Sequence, residues 1–302
     1  MSVSNAMELE VSSEVPTHCE NCGSPLEQKD FFWLFGCGNC HLLVSTLGAY
    51  TDSEAVSGYE SGEHSSAFEV LRRENAEITL GMMSDLGSVP GLDLLEVGSA
   101  QGFFLQVAAT QGYRCTGIEP NRQLRECKSN RGLSVIGGFF PDALTTQDAF
   151  DIIVFNDVIE HIPDIRNTLA YCNSYLNPGG VLVVNVPMRD GVFYTIGRLG
   201  KVLGWKVPLE RLWQVGTMSP HLYYFDRRSL TELANKSGFE LISAKRLKTV
   251  TIKGLWKRLR VTSNFGFLTA SFIWIATVVL VPFLRFLPAD SRVFAYRKGA
   301  SK

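Results

Sequence analysis

From Leu92 onward, apolar runs alternate with amphipathic stretches in a regular way. The runs are LDLLEVG, RCTGIEP, LSVIGGF, FDIIVFND, VLVVNVP and FELISAKRL. Between them lie FFLQVAATQ, NRQLRECKSN, IRNTLAYCNSYL and SLTELANKSG, whose apolar positions recur at helical spacing. This β-then-α alternation predicts an α/β fold, a mostly parallel sheet covered by helices on both faces. A last strand candidate, SRVFAYRK, stands near the C-terminus. Upstream, Phe68, Leu71, Ile78 and Met82 fall roughly on one stripe, which predicts a helix over 68–86.

Three segments depart from this pattern. Residues 1–16 are polar and aperiodic, which predicts disorder. Residues 17–45 form a compact cysteine unit, and 46–89 read as a Gly/Ser-rich linker plus the helix. The core then spans 90–250. Residues 251–288 hold a basic stretch and an uncharged run of 20 residues, Phe265 to Leu284, and 289–302 hold the final strand and tail. Such a run is long enough to cross a membrane, which takes about 17–25 residues.

The turn after the first core strand reads LLEVGSAQGFF. A dinucleotide fingerprint, G-x-G-x-x-G/A, would need a small residue at position 103, which is Phe103. The pattern acid-x-G-x-G-x-G matches instead, as Glu96-Val97-Gly98-Ser99-Ala100-Gln101-Gly102, with Ala100 as its one change. This turn resembles that of the class I methyltransferases that use S-adenosylmethionine (SAM). The likeness continues in order through GIEP, FDIIVFNDVIEHIPD, LNPGGVLVVNVP and HLYYFDRRSLTELANKSGFELI, covering roughly 92–246. It implies a Rossmann-like, doubly wound sheet of seven strands with the last one antiparallel. It also implies that Glu96 holds the methionine amino group, that Gly98, Ser99, Ala100 and Gly102 run alongside the cofactor, and that Glu119 binds the ribose. Adenine would lie near Gly138, Phe139 and Phe140, and Asn156, Asp157 and Val158 below the methionine portion.

A hydroxyl acceptor must lose a proton during methyl transfer, and histidine suits that task near neutral pH. Two histidines fall inside family-like motifs, His161 in NDVIEHIPD and His221 in SPHLYYFD. The neighbouring Glu160 would orient a histidine or face solvent. The segment NDVI lacks the prolines and aromatic of the N/D-P-P-Y/F signature of amino-methylating enzymes, which leaves oxygen or carbon acceptors.

Cys19, Cys22, Cys37 and Cys40 are spaced C-x2-C-x14-C-x2-C, a pattern that predicts two knuckles on one structural zinc ion. Cys115, Cys127 and Cys172 are read as core packing. From Thr17 to Ser45 the only basic side chain is Lys29, against Glu20, Glu27 and Asp30, so no nucleic-acid partner is expected. Phe31, Phe32, Trp33 and Phe35 suit packing of this ribbon on the main domain. A family of bacterial methyltransferases is similar in overall layout, with a four-cysteine unit, a helical linker and a SAM domain. Its members act on sugars, glycans, lipids and secondary metabolites.

Composition adds one asymmetry. The 302 residues carry a formal charge of −1, yet from Leu241 to Lys302 there are 12 Lys/Arg against one Asp/Glu. Lys253, Lys257, Arg258 and Arg260, with Trp256 among them, precede the apolar run. A basic end next to an apolar run predicts peripheral contact with an anionic lipid surface through 251–288. A simple span is disfavoured, because SRVFAYRK would then lie across the bilayer from its own sheet. The polar N-terminal stretch has no apolar signal region, so a cytoplasmic place at the inner face of a membrane is expected. Two further readings stay open: a soluble enzyme whose apolar run roofs its pocket, and a nucleic-acid-binding ribbon protein with a non-catalytic SAM domain.

Overall fold

A computed structural model of the chain describes residues 15–48, 62–129, 132–262 and 266–299. Most of the N-terminal stretch expected to be disordered, residues 49–61 of the linker, and the side chains of Cys127, Lys257 and Arg258 lie outside the described residues.

The ribbon holds β1 (Leu26–Gln28), β2 (Leu34–Cys37) and β3 (Leu43–Ser45), and α1 (Gly62–Asp85) follows. The core alternates as the pattern predicts: β4 (Asp93–Val97), α2 (Phe103–Thr110), β5 (Arg114–Glu119), α3 (Arg122–Ser129), β6 (Ser134–Gly137), β7 (Phe150–Asn156), α4 (Ile165–Tyr175) and β8 (Leu176–Pro187). Then come α5 (Val192–Val202), α6 (Val207–Leu212), β9 (Tyr223–Tyr224), α7 (Arg227–Lys236) and β10 (Phe239–Arg246). The chain closes with α8 (Leu255–Thr262), α9 (Phe267–Leu284) and β11 (Ser291–Lys298).

The main sheet has seven strands in the order β10-β11-β8-β7-β4-β5-β6, and only β11 runs antiparallel to its neighbours. Side chains of the central strands alternate between two cores, as the period of two requires. Leu95, Ile153, Phe155 and Val184 pack with Leu169 of α4 and Leu230 of α7. Leu94, Ile152, Val154 and Val183 pack with Leu80 of α1 and Leu105 of α2 on the other face. Strands buried on both faces read as continuous apolar runs, which is why FDIIVF and VLVVNV stand out in the sequence. In β8, pairing at Leu176 resumes only at Val181, so the NPGG stretch loops out within the strand.

Two features differ from the expectations. The ribbon is not a freestanding unit, because its sheet takes a fourth strand, β9, from the far end of the core. Phe31, Trp33 and Phe35 are buried there, and Trp33 meets Trp213 edge-on at 5.7 Å. Phe32 instead is 65% exposed and packs on nothing that would bury it. The apolar run does not enter the core, since among the described residues of α9 only Ala270 is buried. Nor can it be a simple span, because β11 lies inside the sheet between β10 and β8.

Candidate active site

The glycine turn sits where β4 ends. Gly98 has φ of +69°, and the N–H groups of Gly98 and Ser99 both donate to the Ile118 carbonyl of β5, at 2.9 and 3.0 Å. A Cβ at position 98 would lie 2.7 Å from Val158, so the turn needs glycine both for its backbone and for the close approach of the loop after β7. Ala100, the departure from the pattern, also takes a positive φ of +39°. Its N–H donates 2.7 Å to Glu119 Oε2, which holds this unusual conformation in place. We expect Gly98→Ala to weaken SAM binding by at least about tenfold and to cost roughly 1–3 kcal/mol of stability. Isothermal calorimetry and a thermal melt check this, and unchanged affinity would mean the turn is no cradle.

Glu119 is buried at the end of β5, and its other oxygen accepts from Asn121 N–H at 3.0 Å. Both of its oxygens are thus held at the end of β5, where the family resemblance places a ribose-binding acid. Glu96, also buried, accepts from Asn156 Nδ2 at 2.8 Å and so ties the ends of β4 and β7 together. Asp157 follows with φ of +54°. Solvent reaches its side chain, yet enough protein surrounds it that burial lifts its carboxyl to about 6, against the pull of Arg72. Phe139 is partly exposed where an adenine platform is expected, but Phe140 is core, packed edge-on against Phe155 at 5.8 Å. Apart from Phe140, the cofactor residues expected from the sequence thus converge at the carboxyl ends of β4 to β7, where ligands bind in open parallel sheets.

A second cluster stands beside Asp157. A single 3-10 turn, Ile159–His161, follows β7 and turns Glu160 and His161 inward. His161 Nδ1 lies 2.9 Å from the Pro220 carbonyl, to which it donates, leaving Nε2 with its lone pair. His221 stacks edge-on against His161, ring centroids 4.7 Å apart, with its Nε2 2.9 Å from the Gln214 amide. Glu160 is fully buried rather than facing solvent, and neither carboxylate oxygen has a hydrogen-bond partner among the described residues. His221 Nδ1 is likewise without one. One ligand atom from each of Glu160, His161 and His221 lies within 4.8 Å of the others.

Burial, reinforced by Asp157, holds the Glu160 carboxyl well above the usual carboxylate range. Burial also lowers both imidazoles, His221 further because His161 is adjacent. A buried carboxylate without donors is unfavourable unless it is protonated or paired with a cation. Two neutral imidazoles and one carboxylate are a suitable donor set for a divalent transition metal.

The ribbon reaches this cluster directly. Ser45, at the end of β3, donates from Oγ to the His221 carbonyl at 2.7 Å and from N–H to the Leu222 carbonyl at 2.8 Å. Leu222 N–H in turn donates to the Glu160 carbonyl at 2.8 Å. At the far side of the ribbon, Cys19 and Cys40 sulfurs are 3.5 Å apart and those of Cys22 and Cys37 3.3 Å, with all four within 4.8 Å. A tetrahedron with Zn–S of about 2.3 Å has edges of about 3.8 Å, so the four sulfurs fit zinc. Burial raises the Cys19 and Cys40 thiols. It works against Cys22 too, but hydrogen bonds from Ser24 and the neighbouring thiols prevail and bring that group to about 6.

Gln214, Ser219, Ser45 and the inward-facing Glu160 were not legible as site residues in the sequence. The adjacent acid–histidine pair in IEH was the one available signal.

A seven-stranded sheet with one antiparallel strand, a glycine turn after its first core strand and an acid closing the second is the architecture of a SAM-dependent methyltransferase. A family profile described as a methyltransferase domain matches residues 67–244. The chain belongs to that family. It is 31% identical over 122 residues to a ubiquinone biosynthesis O-methyltransferase of Paramagnetospirillum magneticum, covering 38% of this chain and 49% of that protein. It is 26% identical over 170 residues to the C-methyltransferase NovU of Streptomyces niveus, covering 53% of this chain and 40% of that protein. The chain spans about half the length, or less, of the curated relatives it matches. In fold it is similar to the cyclopropane synthase MmaA2 of Mycobacterium tuberculosis, with a TM-score of 0.52 at 15% identity over 82% of this chain and 98% of that one.

Proposed function

We propose that this protein transfers a methyl group from SAM to a hydroxyl oxygen of a lipid-borne acceptor at the cytoplasmic face of a membrane. The observation that carries the reading is the buried Glu160–His161–His221 cluster beside the cofactor residues. SAM supplies an electrophilic methyl on a sulfonium, so the protein's tasks are alignment, exclusion of water and removal of the acceptor's proton.

Glu96 and Asn156 would hold the amino-acid end of SAM, and Glu119 the ribose. His161 keeps Nε2 unprotonated by donating from Nδ1 to Pro220, so it is ready to take a proton. If Nε2 of His161 instead ligates a divalent cation together with Glu160 and His221, that cation would supply Lewis-acid activation of the acceptor oxygen in place of proton uptake by His161. The same three groups suit an O-acceptor better than a carbon acceptor, since both modes act on a developing oxyanion. The exposed apolar α9 and the likeness to an O-methyltransferase of ubiquinone biosynthesis support a lipid-borne hydroxyl, while four closely set thiols support a reducing compartment and a zinc-bound ribbon.

The test is incubation of the purified protein with labelled SAM and phenolic or polyprenyl-linked acceptors, with metal content measured in parallel. The expected result is O-methyl product and two bound cations per chain, one of which disappears in Glu160→Gln while ribbon zinc remains. A C-methyl product, or one cation in both proteins, would overturn the corresponding half of the proposal.

A further inference from the structure

Two exposed apolar elements stand at the same edge of the sheet, and only one of them was visible in the hydropathy pattern. That one is α9, whose Phe272, Ile275, Leu280 and Phe283 are each more than half exposed. The other is α5 with the turn that follows it. Ile196, Leu199, Val202 and Leu203 fall on a single helical stripe and are 55, 60, 78 and 86% exposed. Trp205 and Val207 continue the stripe beyond the helix end. The opposite face is committed to the protein, with Tyr194 buried and Gly197 closely apposed to Leu209 and Leu212 of α6.

The charges within this stripe have one sign. Residues 195–207 contain Arg198, Lys201 and Lys206 and no Asp or Glu. Lys201 turns toward Asp30 of the ribbon at 3.1 Å, and Arg198 approaches the same carboxylate at 3.8 Å, while Lys206 and Arg211 are exposed. Near α9, Lys253, Arg260 and Arg285 are exposed.

Both elements are anchored at one place. Phe193 N–H, at the start of α5, donates to Asp290 Oδ1 at 2.6 Å, and Asp290 directly precedes β11. Arg246, at the end of β10, donates to the carbonyls of Leu284 and Leu287 at the end of α9, at 3.0 and 2.6 Å. Pro187 closes β8 opposite Ser291, so α5 and α9 both leave the carboxyl edge of the parallel strands. That is the edge that carries the glycine turn and the Glu160–His161–His221 cluster.

We propose that α5 and α9 together seat this protein on an anionic lipid leaflet, with the cofactor edge of the sheet turned toward the bilayer. A leaflet fits better than a protein partner because the two stripes are separate in sequence, have the exposed cations Lys206, Arg211, Lys253, Arg260 and Arg285 beside them, and carry Trp205 and Trp256 at their margins, where indole favours the headgroup region. The strands on either side of α9 are neighbours in one sheet, so α9 lies along the interface rather than crossing. The inference extends the lipid-borne acceptor proposed above, but its assay contains neither acceptor nor SAM.

Sedimentation of the full chain with phosphatidylcholine vesicles, with and without phosphatidylglycerol, tests it. Wild type should bind the anionic vesicles at least about tenfold more strongly, in a salt-sensitive way. Leu199→Glu with Leu203→Glu should lower that binding about tenfold or more, as should Phe272→Glu with Ile275→Glu. All four side chains lie at the surface, so calorimetric SAM binding and thermal melts of these variants should match wild type. Brominated lipid should quench wild type more than Trp205→Phe. Unchanged binding by the α5 variant, or equal quenching of wild type and Trp205→Phe, would overturn the role of α5. Absence of vesicle binding by wild type would overturn the whole proposal and point to a protein on this face. Vesicle binding without methyl transfer would count against the proposed function alone.

Discussion

Glu160→Gln is expected to lower the rate of methyl transfer by about 10²–10⁴-fold while leaving SAM affinity within about threefold. The separation follows from where the groups lie. SAM contacts are assigned to the end of β4 and the turn after it, to the end of β5 and to Asn156–Val158, whereas Glu160 lies in the turn that follows, against His161 and His221. The same substitution should stabilise the metal-free protein. Burial holds the Glu160 carboxyl above its unfolded value of about 4.3, so the folded state binds the proton more tightly than the unfolded state. The cost of its charge therefore begins above about pH 4.3 and grows with pH until the folded-state value is passed. Glutamine has the same shape and no charge, so the gain should be present at pH 8 and absent at pH 4. Thermal melts at the two pH values, on protein that carries its ribbon zinc but no second cation, check the sign. A destabilised Glu160→Gln protein at pH 8 would show that the carboxylate has a stabilising partner and that the cluster is structural.

Replacing Cys37 and Cys40 by serine is expected to abolish zinc binding and to lower methyl transfer by at least about tenfold, although neither is among the proposed cofactor residues. Zinc contributes about 10–16 kcal/mol to the folding of small zinc peptides, so a ribbon of this size without metal should lose its three strands. Strand β9 is paired to the main fold's neighbours through β3, and Ser45 holds the carbonyl of His221. Loss of β3 therefore releases the segment that carries His221. The glycine turn and Glu119 take no support from the ribbon, so SAM binding should persist. Metal analysis, calorimetry with SAM and a turnover assay on one preparation decide the matter. A zinc-free protein with full turnover would show that the ribbon is an independent appendage.

Much of the fold was legible because it depends on local pattern. Strands β4 to β8, β10 and β11 each coincide with a run named from hydropathy, most clearly at the central β4, β7 and β8, where burial on both faces demands apolar residues along the strand. Helices α5 and α6 were not read as helices. Their sequence mixes glycines, cations and exposed apolar residues, and a stripe that faces outward has the same period as one that faces a core. Strand β9 was missed for another reason: two residues carry no periodicity, and its partner lies about 180 positions earlier in the chain.

The candidate site divides in the same way. Glu96, Gly98, Glu119 and Asn156 could be named through the resemblance to SAM-dependent methyltransferases, whose motifs recur here in order at strand ends that the topology aligns. The four cysteines could be named because two short loops suffice to set four sulfurs around one ion. Glu160 could not be placed, because whether a side chain after a strand faces water or a neighbour depends on what packs over it. Here that is the segment from Ser219 to Leu222, held down by the ribbon. The sequence by itself thus determined the order of strands and helices and the spacing of the glycine turn and of the four cysteines, all consequences of short-range pattern. Only the tertiary structure decided that His161, His221 and Glu160 meet, that the ribbon braces them, and that two apolar helices face outward from one edge. Each of those rests on contacts between residues far apart in the chain, whose burial no local pattern can assign.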